Sequence, residues 1–445
     1  MRTLPIPLLL IFAPCAALAQ SDQDWKLCNS EDADAAIPAC TRLIETEKLE
    51  PKDRVLAYDN RGVAYWRKGD YDHAVADYDQ AIGVDPKYAR AWMRRGAAYA
   101  NKGDYDRAIA DSSKAIEIDP INFKAYYNRG LAFTRKGEHG RALADVTKAI
   151  KIADATIKND PKFAGAYDIR GAAYARSGDY DHATADWTKA IQINPKFAGP
   201  YVSRANMYLR QQDFDRAIAD ATKAIEIDSN NAGAYDNRGY AHWRKREDDL
   251  AIADATNALE INSKLVNVYE YRAAAYQRKG DYALALADYD KLIENDPNNP
   301  RYAGKAGLLH FVVGDFKAAS VELLHALELR TDVYGILFRY LARARAGESA
   351  DAELADNARR IGLSLRVWPY AFIELYLGKR SPDEMLKAAS KTTDRCLAYF
   401  YIGEWHILRN ELAEAAANLN GAAELCSRDG IEYRAAVAEL ARQKR

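Results

Sequence analysis

The sequence predicts an all-α fold, a right-handed α-α superhelix of stacked antiparallel helix pairs, and three observations predict it. An aromatic-x-x-Arg-Gly cassette, a Gly-Asp-Tyr turn and an Ala-Ile-x-Asp segment recur eight times at a spacing of 34 residues, with one insertion. Within each period small and apolar residues fall on two successive stripes at spacing three to four, the signature of two amphipathic helices. Regularly placed Gly and Pro separate the stripes. A fixed period of this length marks a solenoid, in which each unit buries its apolar face only against its neighbours.

The first full period, Val55 to Tyr88, shows how each element is specified. Tyr58, Gly62 and Tyr65 occupy positions 4, 8 and 11 of 34 and share one face of helix A, while Ala74, Tyr78 and Ala81 at positions 20, 24 and 27 share one face of helix B. Between them Gly69 permits the left-handed conformation that ends helix A, and Asp70 caps helix B. Pro86 at position 32 stops helix B, because proline cannot continue the hydrogen-bond ladder. The pattern restarts at Ala89, Phe123, Ala164, Ala198, Ala232, Val266 and Pro300. Gly or Ala is expected at positions 8 and 20 because the two helices approach closely there. In the third period seven extra residues, at about 150–160, predict two more turns of helix B and a kink in the superhelix.

These residues in this spacing resemble the tetratricopeptide-repeat (TPR) family over residues 55–331. The resemblance implies a TPR solenoid with a concave groove that holds other proteins rather than an active site. Asn60, Arg90 and Arg94 resemble part of the dicarboxylate clamp of cytosolic TPR co-chaperones, but Ser21 and Trp25 stand where the clamp needs Lys and Asn.

Ahead of the array, residues 1–19 combine one basic residue, the apolar stretch Leu4–Phe12 and Ala17-Leu18-Ala19, and read as a secretory signal peptide. Phe12-Ala13-Pro14 departs from the small-residue lipobox of bacterial lipoproteins, so lipidation at Cys15 is not expected. The stretch is too short and too interrupted by proline to span a bilayer. Residues 20–54 read as a degenerate N-terminal hairpin. The four remaining cysteines form two sequence-local pairs, Cys28 with Cys40 and Cys396 with Cys426, which an oxidising compartment would join as disulfides. Free buried thiols are the other reading.

Net charge is −1, from 63 basic and 64 acidic residues interspersed along the chain, so no footprint for nucleic acid is visible. No P-loop, zinc-type histidine pair or Gly-x-Ser-x-Gly elbow is present, and neither an enzyme, a cofactor nor a metal is expected. His242, His310 and His406 fall in the position 11 slot and read as core substitutes for Tyr.

Two arginine series recur. Arg at position 7 (Arg61, Arg95, Arg129, Arg170, Arg204, Arg238, Arg272) keeps company with Asp sixteen residues later, and in the eighth period both change together, to Ala306 and Glu322. This predicts an ion pair inside each hairpin. Arg at position 13 (Arg67, Arg135, Arg176, Arg210, Arg244, Arg278) either complements the negative end of helix A or faces the groove to hold an acidic segment. Large apolar residues at the groove positions 2, 5, 9 and 12 have no role in the hairpin core. The expected partner-binding residues are Trp66, Arg67, Arg90, Met93, Arg94, Tyr127, Arg135, Tyr240, Trp243 and Phe311.

From Asp332 the period fades: residues 332–394 read as a degenerate helical segment, in which Ser381-Pro382-Asp383-Glu384 opens a helix, and residues 395–445 as a final hairpin and capping helix. Tyr399-Phe400-Tyr401-Ile402-Gly403 and Ile431-Glu432-Tyr433-Arg434-Ala435-Ala436 are similar to the C-terminal part of periplasmic TPR lipoproteins that act as adaptors between murein endopeptidases and a tail-specific protease. That resemblance implies a periplasmic scaffold or adaptor with protein partners such as cell-wall hydrolases or an envelope protease. A self-assembling structural solenoid, and a peptidoglycan-binding module in which Trp66 and Trp243 stack on sugars, are the competing readings.

Overall fold

A computed structural model describes residues 13–46, 49–361 and 368–444. Most of the leader expected at 1–19, and the Cys15 side chain, fall outside the described residues. The described residues form 25 helices and no strand. Contacts divide the chain into two units, Met1–Leu265 and Val266–Arg445.

In unit 1, helices Ala13–Cys28 and Ala33–Glu45 make a first hairpin, followed by six A/B pairs from Pro51–Arg67/Tyr71–Val84 to Ala232–Arg244/Asp248–Ile261. The expected turn chemistry is present. Gly69 has φ +73°, and the Asp70 side chain accepts a hydrogen bond from the His73 amide, as Asp104, Asp179 and Asp213 do in their own hairpins. Gly62 is buried against Tyr78, where a Cβ would lie 2.6 Å from the ring, and Gly96 faces the Ala108 carbonyl oxygen at 3.1 Å.

The tightest packing lies one residue away from the aromatic stripe expected to carry it. Alanines at positions 3 and 10 (Ala57, Ala64, Ala91, Ala98, Ala125, Ala132, Ala166, Ala173) are fully buried with those at 20 and 27, whereas several aromatics at positions 4 and 11 are only half buried. The reason is the neighbour. Each hairpin must seat the next helix A as well as its own partner, and only small residues let three helices meet. Successive A helices accordingly touch one another along the inner side of the curve.

The predicted ion pair forms in seven hairpins, with two guanidinium nitrogens 2.5–2.9 Å from the two carboxylate oxygens. The third guanidinium nitrogen was not anticipated to have a role. It reaches back 2.5–3.3 Å to the preceding hairpin: Arg61 to Thr41, Arg95 to Asp79, Arg129 to Ser113, Arg170 to Asp154, Arg204 to Thr188 and Arg238 to Thr222. Each of these guanidinium groups also lies over the aromatic ring three residues before it.

The insertion lengthens helix B of the third pair, His139–Asn159, to 21 residues against 14 in its neighbours. Seven residues are close to two turns, so Asp154 takes the phase that a residue at 147 would otherwise hold and the ladder continues through Arg170.

Unit 2 begins with two regular pairs, Val266–Lys279/Tyr282–Asn295 and Pro300–Val313/Phe316–Leu329. It continues through Val333–Arg345, Asp351–Ile361 and two short helices to the hairpin Thr392–Ile407/Leu412–Leu425 and the last helix, Ile431–Gln443. Ser381 caps helix Pro382–Ala388 in a reciprocal box with Glu384. Here the core is one aromatic cluster, with Phe311, Phe338, Phe372, Phe400 and Tyr401 all shielded from solvent. Both cysteine pairs are joined, with Cα atoms 4.8 Å apart at Cys28–Cys40 and 5.0 Å at Cys396–Cys426.

The last helix is docked by buried carboxyl–guanidinium contacts. Arg345 donates to Glu404 at 3.1 Å and to Glu439 at 3.0 Å, Arg442 also donates to Glu439, and both carboxylates are buried. Burial and the neighbouring Glu439 push the Glu404 carboxyl up to about 8.

Two predictions follow from this packing. Gly62→Ala is expected to destabilise the chain by about 1–3 kcal/mol through overpacking on Tyr78. Gly83→Ala, with open space at its Cβ, is expected to stabilise it by about 0.4–1 kcal/mol; thermal melts of the two variants check the sign. Because folded Glu404 keeps a proton that the unfolded chain has released, stability falls as pH rises from the ordinary glutamate range to about 8. The slope is at most about 1.4 kcal/mol per pH unit. Glu404→Gln should flatten that part of the profile, read from melting temperatures between pH 5 and 9.

Candidate functional site

One concavity of unit 1 is walled by helix A residues at positions 2, 5, 9, 12 and 13, among them Gly233, Tyr127, Asn206, Ala175 and Arg176. Between the third and sixth A/B pairs it forms a cleft of about 570 Å³ whose walls include Tyr127, Arg176, Trp187, Asn206, Arg210 and Asp236. Arg176 and Arg210 are exposed position 13 residues and, among the described residues, have no carboxylate partner. Asp236 is the one acid on the wall against these two cations.

Trp187 takes the position 24 slot that Tyr78 and Tyr289 fill elsewhere. It is 3% exposed, and its indole N–H lies beside the Asp168 carboxyl without reaching hydrogen-bonding geometry. A buried donor left unsatisfied costs about 1–3 kcal/mol, and the acceptor that the fold places next to this one is the Asp168 carboxyl. Burial pushes the Asp168 carboxyl up to about 6, and the Lys124 ammonium draws it back. The same desolvation lowers Lys124 and raises the Tyr127 hydroxyl. The arrangement offers two guanidinium groups, an indole N–H and an aromatic ring in one concavity, which suits an anionic, partly apolar segment better than a metal or a reacting group.

The residues expected to form the groove divide. Tyr127 lines the cleft, and Arg135 is exposed and, among the described residues, without a carboxylate partner. Trp66 is 40% exposed on the first A/B pair, Arg90 is exposed beside the Tyr88 ring, and Met93 is half buried. The Tyr240 and Trp243 rings pack at 5.4 Å with their planes tilted by 44°, and Arg244 donates to the Tyr240 hydroxyl.

Three expectations are corrected. Phe311 is wholly buried between Phe316 and Phe338 in unit 2 and presents no surface, because in that unit the aromatic core extends onto the inner helix face. Arg67 donates to the Ser30 and Glu31 carbonyl oxygens and so ties down the degenerate hairpin. Arg94 pairs with the buried Asp59 at 2.5 Å, while Asn60 donates to Asn29, so the partial clamp is spent on internal contacts. Sequence reasoning left Arg176 and Arg210 between two readings, helix end or groove, and missed Trp187. Arg176 and Arg210 belonged to the position 13 series, and Trp187 was the one tryptophan at position 24.

The position 11 histidines are only partly buried and bind acids at the next cap: His242 with Glu247 at 2.5 Å and His406 with Glu411 at 2.6 Å. Where His replaces Tyr in these two hairpins, Glu replaces the capping Asp.

Family models of the tetratricopeptide repeat match residues 60–123, 123–156, 164–197, 205–245 and 266–299. No curated protein sequence matches the chain. Among solved structures, the APC/C hetero-tetramer Cut9–Hcn1 is similar at 15% identity over 74% of this chain and 70% of that one, with a TM-score of 0.53. Yeast Tom70 is similar at 17% identity over 97% and 96% of the two chains, with a TM-score of 0.37. A tetratricopeptide repeat protein from Parabacteroides merdae is similar at 20% identity over 58% and 98%, with a TM-score of 0.38. The matched segments are tetratricopeptide repeats stacked as a superhelical solenoid, repeats that generally mediate contacts between proteins.

Proposed function

We propose that the chain is a scaffold or adaptor of the cell envelope that holds other proteins through the concave face of unit 1, and that the segment it holds is extended and acidic. The observation that carries this reading is the pair of guanidinium groups, Arg176 and Arg210, left without a carboxylate beside Tyr127 and the buried Trp187 N–H. Guanidinium groups match carboxylates geometrically, and aromatic rings at the centre of a concave patch are the usual anchors of an interface. The envelope location rests on the leader read in residues 1–19, with two disulfides compatible with an oxidising compartment. Murein hydrolases or an envelope protease are the partners that the C-terminal resemblance suggests. Among the described residues no helix is long and apolar enough to cross a membrane.

A second reading has one observation in its favour. Trp66 exposes 40% of its surface on the first A/B pair, as an indole that stacks on sugar rings would. Binding to purified sacculi that is lost in Trp66→Ala but kept in Arg176→Ala would favour it.

The adaptor reading is tested by crosslinking in intact cells, affinity purification and mass spectrometry, comparing the parent with Tyr127→Ala/Arg176→Ala/Arg210→Ala. Envelope proteins recovered with the parent should vanish with the variant, whose melting temperature should stay close to the parent's because the two arginines make no internal ion pair. Identical recovery from both would overturn it. For a captured acidic segment, affinity should rise as pH falls through about 6, because protonation of Asp168 removes a negative charge beside the cleft. Asp168→Asn should reproduce that gain at pH 7.5. Binding should weaken with salt as screening lengths shrink to about 10 Å at 0.1 M.

A further inference from the structure

The A-to-B turn of the first repeat differs from its equivalents in one respect. Gly103, Gly137 and Gly178 hold the same left-handed conformation at the same turn, are exposed, and have nothing within 4 Å of a Cβ position. Gly69 is buried, and 3.1 Å from its Cβ position lies the Asn262 side-chain oxygen, almost two hundred residues later. Lys264 reaches into the same turn: its ammonium donates to the Gly69 carbonyl oxygen at 3.4 Å and stands 5.5 Å from the centre of the Tyr71 ring, within the field of Asp72. The carbonyl it meets lies just past the C-terminus of helix Pro51–Arg67, the negative end of that helix's dipole. Six repeats have thus carried unit 1 through a full superhelical turn, and its beginning meets its end.

We propose that this contact is a latch that holds the first superhelical turn of unit 1 shut and limits access to its concave face, which opens when the latch releases. The chemistry is that of a reversible contact: one long hydrogen bond, one cation over a ring and an amide packed on a glycine, with Lys264 exposed and therefore screened by salt. The mechanics are those of a solenoid, in which small rotations at each interface add, so that releasing one contact at the ends widens the whole turn. Gly69 suits the part twice: its backbone requires a positive φ, and an added methyl would press on the Asn262 side chain at 3.1 Å. The inference concerns the shape of unit 1 and holds whichever ligand the cleft takes.

The test uses the full chain with Cys15→Ser, in which the other cysteines are joined in disulfides. Spin labels at His73→Cys and Glu260→Cys, two exposed sites flanking the contact, report its distance distribution by pulsed electron resonance. In a second chain, Ser203→Cys on the cleft wall reports access through its reaction with a small maleimide and with a bulky polymer-linked one. The labels should give one short, narrow distance that lengthens and broadens with Lys264→Glu or in high salt and persists with Lys264→Arg. Lys264→Glu should also speed the bulky reagent several-fold while leaving the small one unchanged. A long, broad distance in the otherwise unaltered chain, or a distance indifferent to Lys264→Glu, overturns the latch. A lengthened distance with no change in the bulky reagent's rate overturns its control of access. An unchanged melting temperature in Lys264→Glu shows that the hairpins themselves stay folded.

Discussion

One interaction organises the array: the guanidinium at position 7 of the first seven repeats. Two of its nitrogens grip a buried aspartate on its own helix B, and the third reaches a hydroxyl or carboxylate on the helix B before it. The first contact closes a hairpin and the second sets the rotation between hairpins. Because both come from one planar group, the two are coupled, and the angle is repeated from unit to unit. Burial pushes Asp77, Asp111 and Asp288 up while the arginine draws them back, so each pair is held in a partly desolvated setting. Such pairs contribute less to net stability than to uniqueness of geometry, since removing one partner strands the other. Lysine, with a single ammonium, has no fork with which to make both contacts.

The alanine seams obey the same constraint from the apolar side. Helix A of one repeat sits against two helices B, and the fully buried alanines at positions 3, 10, 20 and 27 let the backbones approach. Larger side chains lie at the margins, where the half-buried Tyr58 and Tyr126 provide the faces on which the arginines rest. The seven-residue insertion is tolerated because it preserves helical phase, which keeps Asp154 on the face that Arg170 needs. Unit 2 relinquishes the ladder after Arg272–Asp288 and replaces it with a continuous aromatic core. Docking of its last helix then depends on Arg345, which donates to the buried carboxyls of Glu404 and Glu439, and on Arg442, which donates to Glu439.

A surplus of donors marks the cleft against this background. Some inward-facing charges elsewhere in unit 1 are consumed, Arg94 by Asp59 and Arg67 by backbone carbonyls. Arg176 and Arg210 were of the same type and at the same repeat position as Arg67, and nothing in the period distinguishes them. What differs is the neighbourhood: Arg67 faces the irregular loop after the first helix, whereas Arg176 and Arg210 face only regular repeats that offer no free acceptor.

The sequence by itself determined what is local or repeats. The period, the helix limits, the caps at Asp70 and Ser381, the glycine at position 8, the Arg–Asp pairing and both cysteine pairs all follow from residues within one hairpin or one loop, where spacing along the chain dictates spacing in space. Tertiary structure alone decided what depends on accumulated rotation or on a particular neighbour. Whether Phe311 faces a groove or a core, whether Arg94 is available, and whether Gly69 meets Asn262 are set by how many small inter-repeat angles add up before two surfaces meet. No single period encodes that sum, because each repeat specifies only its own angle to the next.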